Sequence, residues 1–148
     1  MRGGMTAESE VEETFEAIRR SVEKEPYARS LGIRLEELEP GWAVTEMDFS
    51  ADMKNVFGMA HGGAIFSLID EAFEVASNSH GTVSVALSMS VTYVSAPKKG
   101  DILLAEGKEV SRSNRVATYD IQVKTKGGDL IAICQALVYR KRDPLPFL

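Results

Sequence analysis

The segment from Asn55 to Gly63, followed by Asp70, contains the residue types from which a hydrolytic site can be built. Two consecutive glycines, Gly62 and Gly63, stand immediately before a predicted helix. The first backbone N–H groups of a helix lack intrahelical partners and carry positive partial charge, and glycine lets a substrate approach the main chain closely. Such a helix start can stabilise a carbonyl oxygen that becomes negative in a transition state, an interaction often worth about 3–4 kcal/mol.

Asp70 is the candidate catalytic carboxylate. It lies seven residues after Gly63, or about two helical turns, and therefore projects from nearly the same face as the helix start. Burial of an aspartate in a largely apolar helix costs desolvation free energy. Its presence there therefore indicates a function. Glu71, about 100° round the helix, and Glu74, one turn further on, are the alternatives. Either of them could be the catalytic carboxylate instead of Asp70.

The helix that carries these residues is predicted from Ala64 to Ser77. Its apolar residues occupy most of the circumference, so it must be buried nearly all round. Alternating or extended runs surround it, and the predicted strands are 33–39, 42–49, 83–93, 102–110, 117–123 and 130–140. In the run 83–93 the alternation has a strict period of two, which places Val83, Val85, Leu87, Met89, Val91 and Tyr93 on one face.

Short turns between consecutive strands imply an antiparallel sheet, and a single buried helix requires that sheet to curl around it. The sequence therefore predicts an α+β fold with about six strands around one long central helix. A preceding amphipathic helix is predicted from about Ser9 to Arg29, with Pro26 ending or bending its last turn. We assign residues 1–31 to an N-terminal helical extension and residues 32–148 to the main domain.

Composition excludes several classes of function. The chain has 148 residues and a net charge of -5, so one domain is expected and nucleic-acid binding is disfavoured. No run approaches the ~18 apolar residues of a membrane span, and Met1 to Thr14 lack a signal core. We therefore expect a cytoplasmic protein without a membrane partner. Two histidines and the single Cys134 offer no ligand spacing, which predicts no metal site.

The pattern resembles the hotdog-fold acyl-CoA thioesterases of the PaaI type, the family of phenylacetate-degradation thioesterases. In that family an asparagine and a glycine precede a His-Gly-Gly entry into the long helix, and an aspartate follows nine residues after the histidine. The corresponding residues here are Asn55, Gly58, His61, Gly62, Gly63 and Asp70. The resemblance covers roughly Gly32 to Tyr139.

The resemblance implies that two protomers pair their sheets and share two active sites. A homo-oligomer follows, at least a dimer and by expectation a tetramer formed as a dimer of dimers. A backbone N–H at Gly62 or Gly63 would polarise the thioester carbonyl, and Asp70 of the other chain would act as general base or as nucleophile. Asn55 would hold the water or the carbonyl, and His61 would brace the loop. No cofactor is expected, because CoA is part of the substrate.

Apolar residues near the predicted site could bind an aryl-acyl (phenylacetyl- or hydroxyphenylacetyl-type) or medium-chain acyl group, and arginines in a predicted turn could bind the phosphates of CoA. These candidates are Phe57, Met59, Phe66 and Phe73 for the acyl group, and Arg112 and Arg115 for CoA. Some relatives carry a water-positioning Ser or Thr on the first strand after the helix, where this chain has Ala86. Ser84 and Ser88 are two residues away and could supply the hydroxyl.

Two other functions remain open at this stage. Hotdog hydratases and dehydratases act on enoyl- or hydroxyacyl thioesters, but they use His-Phe-Pro or an Asp followed five residues later by His, and neither motif occurs here. Non-catalytic acyl-CoA sensors have the same fold beside a helix-turn-helix domain. The presence of Asp70 and the single acidic N-terminal helix count against a sensor.

Overall fold

The chain forms two N-terminal helices, a strand pair, one long helix and four further strands. The computed structural model describes residues 6–148, so Met1 to Met5 of the predicted N-terminal extension lie outside the described residues. In chain order the elements are α1 (Ala7–Lys24), α2 (Pro26–Leu31), β1 (Arg34–Glu39), β2 (Trp42–Asp48), α3 (Gly62–Asn78), β3 (Thr82–Tyr93), β4 (Ile102–Arg112), β5 (Val116–Thr125) and β6 (Leu130–Pro144).

The six strands form one sheet in the order β1-β2-β4-β5-β6-β3, and every neighbouring pair is antiparallel. Helix α3 contacts all six strands. Its residues Leu68, Ile69, Ala72 and Ala76 are completely buried, as expected for a helix that is apolar nearly all round. The predicted α+β hotdog architecture, a curled sheet around a long central helix, is confirmed.

The predicted single N-terminal helix is in fact two helices. Pro26 stands at the first position of α2, where its missing N–H costs nothing, and Glu25 links the two helices in an extended conformation. Ile18 and Val22 of α1 are buried in the same apolar cluster as α3 and the sheet. The division of the chain at residue 31 stays a prediction. No helix within residues 6–148 is long and apolar enough to cross a lipid bilayer.

The strict alternation predicted for the strand after α3 is wrong. Irregularities in the pairing of β3 with β6 lie between Thr82 and Ser84 and between Ala86 and Ser88, and each one changes the face on which the following side chains lie. Val85 and Leu87 are consequently 38% and 56% exposed, whereas Met89 and Val91 pack against the core. Because β3 pairs only with β6, these exposed apolar residues stand on an edge of the sheet.

Gly107 of β4 allows α3 to lie close to the sheet. A Cβ atom at this position would lie 3.1 Å from the carbonyl oxygen of Ala72. We expect Gly107→Val to lower the free energy of unfolding by about 1–3 kcal/mol, because neither backbone can move away cheaply. Urea unfolding measures this loss.

The matched control is Gly127→Ala, where the nearest atom to a new Cβ is Thr125 Oγ1 at 3.7 Å. Its effect on the free energy of unfolding should stay within about 0.5 kcal/mol. A Gly107→Val variant as stable as the wild type would show that α3 and β4 can separate without cost.

Candidate active site

The loop before α3 is held by Asn55. Its side-chain Oδ1 accepts hydrogen bonds from the backbone N–H groups of Phe57, at 2.9 Å, and of Met59, at 3.1 Å. A turn from Asn55 to Gly58 closes the loop, and Gly58 has a φ of 74°, which favours glycine. Since two donors face Oδ1, the amide orientation is set. Its Nδ2 group then remains as the donor available to a ligand.

The start of α3 leaves one backbone donor available. His61 caps the helix, and its Nδ1 accepts a hydrogen bond of 2.9 Å from the N–H of Gly63. The N–H of Ala64 is bonded to the carbonyl oxygen of His61. Within residues 6–148, the N–H of Gly62 has no acceptor. The sequence left Gly62 and Gly63 as equal candidates for the oxyanion donor, and this geometry favours Gly62.

A small cavity adjoins this helix start. It has a volume of about 370 Å³ and is bordered by Met59, Gly62, Ile65 and Tyr93 among others. The hydroxyl of Tyr93 donates a 3.0 Å hydrogen bond to the carbonyl oxygen of Gly62. The end of β3 thus fixes the helix start against the sheet.

Asp70 borders a second and larger cavity of about 720 Å³. Its apolar wall comes from α1, α3, β3 and the residues after β6. These residues are Ile18, Val22, Phe73, Val75, Val83, Val85, Leu145, Pro146 and Phe147. Sequence reasoning missed the contributions of α1 and of the C-terminal residues. The available signal was the apolar segment Pro144-Leu145-Pro146-Phe147-Leu148, which comes directly after the charged run 140–143.

Three carboxyl groups, those of Glu25, Asp70 and Glu74, lie at the wall of this larger cavity, and Glu71 is buried beside them. Burial raises the pKa of Asp70, and the charge of Glu25 raises it further. Burial also raises the pKa of Glu74 to about 7, with the charges of Glu25 and Asp70 acting in the same direction. Glu71 is only 4% exposed, and burial first, then Glu25, Glu74 and Asp70, raise its pKa to about 9. Negative charge is therefore costly here, above all on Glu71.

The four apolar candidates for the acyl site are not brought together. Phe73 is 1% exposed, borders the Asp70 cavity and meets Tyr119 edge to face at 5.5 Å. Met59 borders the cavity at the helix start. Phe57 is 82% exposed and Phe66 is 36% exposed, and neither borders the two cavities.

The arginine candidates lie away from Asp70. Arg112 Nε is 3.7 Å from Glu109 Oε1, and Arg115 Nη1 donates a 3.1 Å hydrogen bond to the hydroxyl of Tyr139. Both side chains are in exposed positions, and neither borders the Asp70 cavity.

Ala86 does border the Asp70 cavity, and so does Ser84. Ser84 is buried, and its Oγ has no hydrogen-bond partner among residues 6–148. Asn78 fixes its backbone, since Oδ1 accepts from the N–H of Ser84 at 2.8 Å. Ser88 lies beyond the irregularity at 86–88 and is exposed. Of the two alternative hydroxyls, Ser84 is the one that reaches the cavity.

Asp70 and Gly62 of one chain cannot act on the same carbonyl group. They are eight residues apart on one helix, which is about 12 Å along its axis. A reacting carbonyl must lie about 3 Å from the oxyanion donor and about 3 Å from the nucleophile, which is either Asp70 or one water molecule bonded to it. One chain therefore presents two half-sites, a carboxylate beside the large cavity and a backbone donor beside the small one.

Comparison with known proteins identifies the family to which the chain belongs. The profile of the thioesterase superfamily matches residues 57–132, about half of the chain. A protein from Archaeoglobus fulgidus whose name places it among the esterases is 42% identical over 116 residues, which cover 78% of this chain and 75% of that protein.

The acyl-coenzyme A thioesterase PaaI of Escherichia coli is 30% identical over 118 residues, covering 80% of this chain and 84% of the relative. Its solved structure, of a protein from the phenylacetic acid degradation operon, aligns with a TM-score of 0.86, at 27% identity over 90% of this chain and 97% of that one. A Streptococcus mutans protein solved with bound acetyl-CoA aligns with a TM-score of 0.73, at 26% identity over 76% of this chain and 91% of that one.

Proposed function

The chain is a hotdog-fold thioester hydrolase that belongs to the PaaI-type thioesterases of the thioesterase superfamily, and on that premise we propose that it hydrolyses an aryl-acyl or medium-chain acyl-CoA to the free acid and CoA. The observation that carries the proposal is the position of Asp70, a half-buried carboxylate at the wall of a largely apolar cavity. The acetyl-CoA bound to the similar streptococcal protein supports CoA as the thiol part of the substrate.

The acyl group would occupy the Asp70 cavity. A volume of about 720 Å³ is in the range of small-molecule sites. The side chains of Phe73, Val83, Leu145 and Phe147 offer apolar surface for the acyl group. A phenylacetyl- or hydroxyphenylacetyl-type group suits this lining, as does a medium-length alkyl chain. Burial of either would contribute roughly 25 cal/mol per Å² of apolar surface.

In the proposed reaction the Gly62 N–H donates a hydrogen bond to the thioester oxygen as negative charge develops on it. Asp70 of a second chain takes a proton from water while the water oxygen attacks the thioester carbon. The carbon–sulfur bond then breaks, CoA leaves as the thiolate, and the proton on Asp70 returns to the sulfur. In the alternative, the Asp70 carboxylate attacks the carbon itself, the carbon–sulfur bond breaks and CoA leaves as the thiolate. Water then hydrolyses the resulting anhydride to the free acid and the Asp70 carboxylate, and the proton it releases goes to the thiolate.

Three polar groups have supporting roles in this proposal. Asn55 Nδ2 is the donor that holds the water or the carbonyl group. His61 braces the helix start through its bond to Gly63, and with Nδ1 already accepting that bond it does not abstract a proton. Ser84 Oγ, unpaired within residues 6–148 and at the cavity wall, positions the attacking water where Ala86 has no hydroxyl. Arg112 and Arg115 remain the proposed contacts for the nucleotide end of CoA.

The experiment is a free-thiol assay with phenylacetyl-, hydroxyphenylacetyl-, benzoyl-, short-chain, medium-chain and long-chain acyl-CoAs, together with an enoyl-CoA whose absorbance is followed separately. We expect thiol release, with the highest kcat/KM for the aryl-acetyl or medium-chain members. Binding of the esters without any release would remove the hydrolase proposal in favour of a sensor. Release of no thiol but loss of an enoyl chromophore would favour a hydratase.

Phe147 provides a test of the acyl site. We expect Phe147→Ala to raise KM for phenylacetyl-CoA about 5–10-fold. The variant loses the apolar contact between the Phe147 ring and the acyl group, which contributes roughly 1–1.5 kcal/mol to binding. KM for acetyl-CoA should change less than twofold. The ratio of the two KM values is the measurement.

Phe57→Ala is the comparison variant, since Phe57 is exposed and borders neither cavity. It should leave the ratio of the two KM values at its wild-type level. A selective rise of KM in Phe57→Ala, with none in Phe147→Ala, would move the acyl site to the loop before α3.

A further inference from the structure

Three glutamates converge behind the Asp70 cavity. Oxygen atoms of the carboxyl groups of Glu25, Glu71 and Glu74 all lie within 4.8 Å of one another. Glu71 and Glu74 project from α3, whereas Glu25 lies at the junction of α1 and α2. The cluster therefore joins the N-terminal helices to the central helix.

Glu71 is the most buried of the three glutamates, and a bound cation would compensate its negative charge. Its side chain is 96% buried, since only 4% of its surface is exposed, and its Oε1 has no hydrogen-bond partner within residues 6–148. Across the same residues, no lysine, arginine or histidine forms an ion pair with any of the three glutamates. A buried, unpaired carboxylate beside two others is strongly disfavoured.

We propose that Glu25, Glu71 and Glu74 bind a divalent cation of the hard, oxygen-preferring class, with Ca²⁺ as the best fit. All the available ligand atoms are carboxylate oxygens, which suit Ca²⁺, Mn²⁺ and Mg²⁺ rather than thiolate- or imidazole-preferring metals. Calcium–oxygen distances are about 2.3–2.6 Å, so oxygens on opposite sides of one ion lie about 4.6–5.2 Å apart. The three oxygens fit within that span, and Ca²⁺ accepts an irregular set of ligands, whereas Mg²⁺ demands near-ideal octahedral geometry.

The surroundings allow an ion to enter and to complete its coordination. Glu74 lies in an exposed position, and Glu74 and Glu25 border the same cavity as Asp70. Water in that cavity can supply the remaining ligands, which Ca²⁺ commonly takes beside carboxylates. The sequence prediction of no metal site considered histidine and cysteine. This site uses carboxylates 46 residues apart in the chain, from Glu25 to Glu71.

A proton is the competing occupant. If Glu71 is neutral and bonded to Glu25, the repulsion is relieved without an ion. The test therefore measures ion binding itself, independently of hydrolysis. Its outcome does not depend on whether the chain cleaves an acyl-CoA.

The first measurement uses the full chain after treatment with EDTA and exhaustive dialysis. Calorimetric titration with Ca²⁺, Mn²⁺ and Mg²⁺ should show one saturable site, tightest for Ca²⁺. The unfolding temperature in millimolar Ca²⁺ should be about 5–10 °C higher than that of the chelated protein. Absence of binding heat together with an unchanged unfolding temperature for all three ions would overturn the proposal and leave the proton as the occupant.

Variants assign the effect to the cluster. Glu71→Gln and, in case that variant folds poorly, Glu25→Gln should abolish both the binding heat and the thermal shift. Glu16→Gln, on the exposed face of α1 beside Arg20, is the matched control and should keep both. A Ca²⁺ shift that survives in Glu71→Gln and in Glu25→Gln would place the ion elsewhere.

Discussion

Asp70→Asn is expected to lower kcat for acyl-CoA hydrolysis by about 10²–10⁴-fold, the range in which general-base catalysis contributes. The substitution keeps the size and shape of the side chain but removes its negative charge and its ability to accept a proton or to attack a carbonyl carbon. KM should change little, because the apolar wall of the cavity, which includes Phe73 and Val83, is unaltered. Steady-state kinetics with the best substrate of the panel measure the loss.

The control for this variant is Asp120→Asn, the same chemical change at an exposed position on β5. It should keep wild-type kcat within a factor of about two, since surface changes have small effects. Asp70→Asn should unfold at or above the wild-type temperature, because burial and Glu25 oppose the charge on Asp70. A folded Asp70→Asn protein that hydrolyses the substrate at the wild-type rate would eliminate the carboxylate assignment and turn attention to Glu74.

The elements that position the site were predictable because their signals are local. The helix predicted from Ala64 to Ser77 is found from Gly62 to Asn78, since an apolar circumference leaves burial inside a sheet as the only stable arrangement. The effect of Pro26 was also predictable, although the helix resumes after it rather than ending. In both cases the deciding interactions join residues only a few positions apart.

The parts that were missed depend on contacts between distant segments. The irregularity between Ala86 and Ser88 arises from the pairing of β3 with β6, and no residue type in β3 requires it. Leu145 and Phe147 have no periodicity, and only the path of the chain after β6 brings them beside Asp70. For the same reason the sequence could not distinguish Gly62 from Gly63. That choice depends on which N–H the side chain of His61 engages.

In the proposed reaction, the separation of the two half-sites requires a second chain. Within one chain, about 12 Å of helix axis lies between Gly62 and Asp70, and each borders its own cavity. The edge strand β3 exposes Val85 and Leu87, which is unusual for an unprotected sheet edge. Pairing of two chains along β3 would cover these residues. Such a two-fold pairing generates two equivalent sites from one set of contacts.

Complementation between two inactive variants should therefore restore activity. Gly62→Pro removes the proposed oxyanion donor and suits the first position of a helix. The extended conformation of His61, with φ -69° and ψ 127°, is also compatible with a following proline. A ring at this position requires the side chain of Tyr93 to move slightly, because a Cβ would lie 3.1 Å from its Cζ. On its own, the Gly62→Pro variant should have a kcat about 10²–10³-fold lower than that of the wild type.

In a one-to-one co-expression of Gly62→Pro with Asp70→Asn, half of the dimers contain one chain of each kind. Each mixed dimer has one site with an intact Gly62 and an intact Asp70, so about a quarter of the wild-type activity should return. Separate tags allow the mixed dimer to be purified, and its activity should then approach half of the wild-type value. Light scattering confirms the oligomeric state of every sample. If the mixed dimer is as inactive as its parents, an intact Gly62 on one chain does not complement an intact Asp70 on the other, and the proposal of a site shared between two chains is wrong.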